Sequence, residues 1–195
     1  MRSSILLLTA FAALTSALQA QNIKTLDLRR RHSRAEDSRK SFYVILAARG
    51  GSATGHAFVL WGIEDGVRRR TTIQAFGLYP DGSRGNCSTL VRTVPGGIAD
   101  EMKNHSFQAI TEELIVRVDE AEFKRSWTVA RQWDCRHEFS MFNRDCVDFV
   151  RAVGESLHLN MPRRAITQWT PQAYVRALVK SPPPSICARP IAERR

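Results

Sequence analysis

Phe142-Asn143-Arg144-Asp145-Cys146-Val147-Asp148-Phe149-Val150 places a cysteine where a helix is expected to begin. Asn143 and Asp145 are both residue types that cap helix N-termini, and apolar side chains then recur at helical spacing through Phe149, Val150, Val153 and Leu157. Unpaired backbone N–H groups and the positive end of the helix dipole would face the Cys146 sulfur, favouring its anion and lowering its pKa. A thiolate of this kind works with a base. His56 is the candidate, within Gly55-His56-Ala57-Phe58-Val59-Leu60-Trp61-Gly62, an apolar run that reads as a buried strand. Alone, Cys146 reads equally well as a half-cystine or a small core residue, and His56 as a satisfied core histidine; the combination carries the functional reading.

Thiol chemistry also needs a group that holds the imidazole in one tautomer. The strand expected beside His56 offers Thr72 and Gln74, and Gln74 is preferred because its amide oxygen can accept from a ring N–H. An oxyanion donor would come from the backbone N–H at Cys146 or from the residues just before it. Asp145 reads as a cap rather than an acid catalyst. Of the other histidines, His137 reads as part of a charged surface turn, His158 as stabilising the end of the Cys146 helix, and His32 as lying in a linker.

The chain has 195 residues, enough for one domain with a sizeable core. Residues 1–20, MRSSILLLTAFAALTSALQA, read as a secretory signal peptide, with one charge at Arg2, an apolar run too short to span a bilayer, and small residues before Gln21. A secreted or periplasmic protein is expected. The formal charge of +10 draws such a protein to anionic envelope polymer or lipid surfaces. Nucleic acid is a poor match, because the arginines are scattered and no aromatic residues are interleaved with them. Export makes two disulfides the default for Cys87, Cys135, Cys146 and Cys187, which competes with a free Cys146; Cys87 with Cys187 is the first candidate bridge. No metal-ligand spacing occurs, so neither a structural metal nor a cofactor is expected.

Residues 21–40 are polar and basic and read as a linker, 41–180 as the folded domain, and 181–195 as a Pro-rich basic tail. Strands are expected around 42–47, at the His56 run, over 71–76 and around 114–118. The stretch 81–104 reads as loop, with turns at Pro80-Asp81-Gly82 and Pro95-Gly96-Gly97. Asp119 with Glu122 forms a capping box before a helix faced by Phe123, Trp127, Ala130 and Trp133, and a last helix follows Pro171. Strands and helices are segregated, which predicts an α+β domain with an antiparallel sheet packed against helices.

The order, His on an early strand and Cys on a late helix, resembles the circularly permuted, NlpC-like branch of the papain superfamily, which includes lecithin retinol acyltransferase relatives and small exported bacterial proteins. The resemblance rests on Gly55-His56-Ala57-Phe58-Val59, Val118-Asp119-Glu120-Ala121, the segment Asn143 to Val150, and Pro171-Gln172-Ala173-Tyr174-Val175, spanning about Phe42 to Leu178. It implies a permuted papain-like fold with Cys146 as nucleophile, His56 as base and Gln74 loosely as third polar group. The acyltransferase relatives carry asparagine just before the cysteine; Asp145 stands there here, and its carboxylate would raise the thiol pKa. The expected activity is an exported cysteine hydrolase cleaving an amide, foremost in peptidoglycan peptide. The alternatives are lipid deacylation or acyl transfer on the same fold, and a non-catalytic, disulfide-stabilised module binding envelope polymer.

Overall fold

The computed structural model describes residues 22–29, 40–50, 55–65, 67, 69–81, 92–103, 110–164 and 170–180. The expected signal peptide, the tail from 181, Cys87, Cys187, His32 and His105 lie outside these residues. Seven strands, β1 (Asn22–Asp27), β2 (Lys40–Arg49), β3 (His56–Asp65), β4 (Arg70–Pro80), β5 (Val94–Asp100), β6 (Ile110–Val118) and β7 (Glu138–Phe139), form one sheet in the order β1-β6-β2-β3-β4-β5-β7. Three helices accompany it: α1 (Glu120–Asp134), α2 (Cys146–Ser156) and α3 (Pro171–Lys180). The pairings are antiparallel except β1 on β6, which is parallel. Strands come mostly before helices along the chain, in keeping with the α+β class.

The middles of β2 and β3 are apolar without alternation because both faces are covered. Val44, Leu46 and Ala48 of β2 and Ala57, Val59 and Trp61 of β3 meet Ala130 of α1, Phe149, Val150 and Val153 of α2, and Tyr174, Val175 and Leu178 of α3. The alternate residues Tyr43, Ile45, Ala47, Phe58 and Leu60 form a second cluster on the opposite face with Ala75 and Ile115. Period-two alternation therefore sorts one run of hydrophobic sequence into two cores. Trp61 ties the layers together. Its indole Nε1 donates to Ser126 Oγ of α1 at 2.9 Å, and its ring meets Trp127 edge-on with centroids 5.4 Å apart.

The expected helices form where their caps were read. Asp119 caps α1 in a full capping box with Glu122, and α3 starts at Pro171. The strand expectations need three corrections. The basic stretch taken as a linker opens with β1, an edge strand whose backbone pairs with β6 while its side chains are mostly exposed, so it carries little hydrophobic signal. The strand expected over 71–76 runs from Arg70 to Pro80. Pro95-Gly96-Gly97 is not a turn but lies within β5, paired on β4 and β7.

Gly96 is there because its neighbours leave no room. A Cβ on it would lie 2.5 Å from the Tyr79 carbonyl oxygen and 2.6 Å from Phe139 Cβ, whereas at Gly97 nothing lies within 4 Å. Gly96→Ala should lower stability by about 1–3 kcal/mol through overpacking against backbone. Gly97→Ala should stay within about 0.5 kcal/mol of wild type. Urea midpoints of the two variants compare them directly, and equal losses would contradict this packing.

Candidate active site

Asp145 adopts extended backbone and caps α2: its Oδ1 accepts from the backbone N–H groups of Val147 (2.9 Å) and Asp148 (3.1 Å). Asp148 reciprocates by accepting from the Asp145 N–H at 3.3 Å, completing a capping box with aspartate in both places. Arg164, beyond the helix, donates to Asp145 Oδ2 at 2.6 Å. The first turn of α2 is thus fixed from both sides. Cys146, its first residue, is buried and free of any disulfide, as is the exposed Cys135. The expected framework of two disulfides therefore does not form. The candidate bridge between Cys87 and Cys187 lies outside the described residues.

The Cys146 sulfur meets the backbone N–H of Ala57, the residue after His56, and its own backbone N–H is turned toward it. These contacts favour the thiolate, yet the thiol is pushed up to about 12, first by burial and then by the charge of Asp145. The helix start does not deliver the low pKa expected from the dipole alone. Burial also pushes Asp145 up, to about 6; Arg164 opposes it and Asp148 adds to it.

His56, the first residue of β3, is 8% exposed and stacks on Tyr79 with ring centroids 4.1 Å apart. Its Nε2 lies 3.1 Å from Oε1 of Glu101, a carboxylate with no solvent exposure. The approach is close but is not aligned as a hydrogen bond. Tyr79 donates its hydroxyl proton to the same Oε1 at 2.5 Å, and Arg49 Nη1 stands 3.4 Å from Oε2. The histidine pKa is lowered by burial, with Glu101 raising it and Arg49 lowering it again. Glu101 remains below the usual carboxylate range because His56, Tyr79 and Arg49 together outweigh its burial.

The structure brings Cys146 to the residue beside His56, but not Gln74. Antiparallel pairing sets Gln74 opposite Trp61, five residues along β3 from His56, a separation of about 17 Å at ~3.4 Å per residue. Thr72, the other candidate, lies opposite Gly62 with its Oγ1 3.1 Å from the Tyr43 hydroxyl. Glu101 stands at the imidazole instead. Its backbone N–H donates to the Ala75 carbonyl just past β5, and it reaches His56 across Gly77. Gly77 is small for that reason: a Cβ there would collide with His56 Nε2 and come within 2.5 Å of Glu101 Oε1. Sequence reasoning missed Glu101 because Pro95 and two glycines masked β5. The available signal was Ile98-Ala99, an apolar pair running straight into Asp100-Glu101. Arg164 was missed as well, lying in irregular chain whose position only packing sets.

Of the other histidines, His137 lies just before β7 at φ 44°, and His158 follows α2 with Nε2 2.9 Å from Arg125 Nη1. Among the described residues no three His, Cys, Asp or Glu side chains gather in a metal-binding group, and no helix is long and apolar enough to cross a membrane.

Alkylation of Cys146 by iodoacetamide should rise steadily with pH and show no plateau below about pH 10, because the thiol titrates late. Asp145→Asn removes the neighbouring charge while keeping a capping side chain, so its alkylation curve should shift to lower pH. An unshifted curve would show that Asp145 does not oppose the thiolate. Asp145 also couples folding to pH. Because its folded pKa of about 6 exceeds the ordinary 3.8, it stabilises the fold most below pH 4, and that contribution is lost as pH rises through 6. Asp145→Asn should flatten stability measured by denaturant between pH 4 and 6. No protein-family model, curated protein or solved structure matches this chain.

Proposed function

We propose that this protein is a cysteine hydrolase of permuted papain-like architecture, in which Cys146 attacks an acyl carbon, His56 serves as base and Glu101, rather than Gln74, orients the imidazole. One observation carries this reading: the sulfur of a helix-capped cysteine abuts the N–H of Ala57, next to a histidine whose Nε2 faces a fully buried carboxylate. Cys146 at the start of α2 meets β3 at Ala57, and Glu101, just past β5, meets the adjacent His56.

With the thiol neutral at rest, the base has to act during attack. The Cys146 proton passes to His56 as the S–C bond forms. The backbone N–H at Cys146 stabilises the oxyanion, and the imidazolium then protonates the leaving amine as the C–N bond breaks. Water, deprotonated by His56, hydrolyses the thioester, releasing the carboxylic acid and restoring the thiol. Nε2 faces Glu101 at 3.1 Å, so Nδ1 is assigned to these transfers.

The substrate favoured by an export signal and a charge of +10 is an amide in an anionic polymer, foremost cell-wall peptide. No cofactor enters this chemistry. A second reading has its own support: a thiol buried and pushed up to about 12 is also what a structural cysteine looks like, as in a non-catalytic module that holds envelope polymer. Lipid deacylation is the remaining enzymatic alternative.

Incubating the purified protein with peptidoglycan should release new amino groups, and with phospholipid vesicles it should not. Cys146→Ala should abolish the release, and His56→Ala should reduce it by about 10²–10⁴-fold. Turnover by Cys146→Ala at the wild-type rate would rule out Cys146 as nucleophile, and none by wild type on either substrate would favour the binding module. The acid limb of kcat/KM should lie below pH 6.5, since burial lowers the His56 pKa from that value and the base is neutral above it.

A further inference from the structure

We propose that Arg49 and Tyr79 are positioning residues that draw the Glu101 carboxylate away from His56, keeping the imidazole a neutral base where a direct ion pair would lock it as a cation. The proposal rests on the hydrolase reading above and concerns how its base is set. Arg49, Tyr79 and Glu101 form a closed ring of contacts. Arg49 Nη2 donates to the Tyr79 hydroxyl at 2.7 Å, Tyr79 donates to Glu101 Oε1, and Arg49 Nη1 faces Glu101 Oε2 at 3.4 Å.

The direction of the ring is fixed by chemistry. A guanidinium has no acceptor, so toward Arg49 the tyrosine oxygen can only accept. Its own proton is left for Glu101 Oε1, the oxygen that Nε2 of His56 approaches. His56 therefore meets an acceptor already occupied by a better-placed donor, which accounts for its close but misaligned contact. The other oxygen faces a permanent cation. A carboxylate compensated in this way still orients the ring, but it attracts an added proton on the imidazole much less than a bare one would.

Among the described residues, the groups placed about His56 come from several elements. Arg49 comes from β2, Phe58 from its own strand, Tyr79 from β4 and Glu101 from beyond β5, and on the α2 side the sulfur of Cys146 lies at Ala57. Arg49 also spans to the ring of Phe58, 5.7 Å from its centroid. The three groups that contact Glu101 come from three adjacent strands, so the balance is a property of sheet register.

NMR titration of the His56 Cε1–H resonance tests the proposal. In wild type the midpoint should lie below the ordinary 6.5, and in Tyr79→Phe and Arg49→Met it should rise past 6.5. Loosened packing alone would relieve burial and stop at 6.5. Arg49→Lys, which keeps the charge, should retain most of the wild-type value, and adding Glu101→Gln to Tyr79→Phe should bring the midpoint back below 6.5. A midpoint that stays at the wild-type value in Tyr79→Phe, or rises only to 6.5, would overturn the proposal. The acid limb of kcat/KM on peptidoglycan separates the two claims. If it follows the His56 midpoint, both stand; if the midpoint moves and the limb does not, the clamp holds and His56 is not the base.

Discussion

A carboxylate with no solvent exposure has to be compensated from within the protein, and at Glu101 that requirement ties together one end of the sheet. Arg49 answers it from β2, His56 from β3 and Tyr79 from β4. Removing any one of them would leave buried charge or a buried polar atom short of a partner, which costs more than an exposed contact contributes. The same requirement explains Gly77, since a side chain there would fill the space through which the carboxylate reaches the imidazole. Register, glycine placement and side-chain chemistry all follow from one buried group.

Two opposing fields meet at Cys146. The start of α2 and the N–H of Ala57 favour negative charge on sulfur, while desolvation and Asp145 oppose it, and the opposing pair prevails. Asp145 nevertheless caps the helix through two backbone N–H groups and anchors Arg164. The residue that fixes the position of Cys146 is thus also one that suppresses its ionisation. In the proposed hydrolase such a site would depend on its base at the moment of reaction.

Much of this arrangement was legible in the sequence where a local signal exists. Capping residues announced α1 and α2, and the apolar run from Gly55 to Trp61 announced β3 with His56 upon it. The choice of Gln74 failed for a physical reason: a strand says which residues alternate, but not which residue of its neighbour lies opposite. The register set Tyr79, not Gln74, near His56. β5 was illegible because Pro95, Gly96 and Gly97 are turn residues by local preference, and the close approach of Tyr79 and Phe139 that demands Gly96 is a tertiary fact. The same holds for β1, whose mostly exposed side chains give little local signal and whose place is set by pairing with β6.

By itself, the sequence determined the helices, their caps, the burial of the His56 strand and the placing of a cysteine at a helix start, because each depends on residues within a few positions of one another. Tertiary structure alone decided which carboxylate faces the histidine, that Arg164 braces the cap of α2, and that burial and Asp145 raise the Cys146 thiol pKa. Each of these is set by burial and by charges brought together from distant parts of the chain, and neither burial nor distance is a local property of sequence.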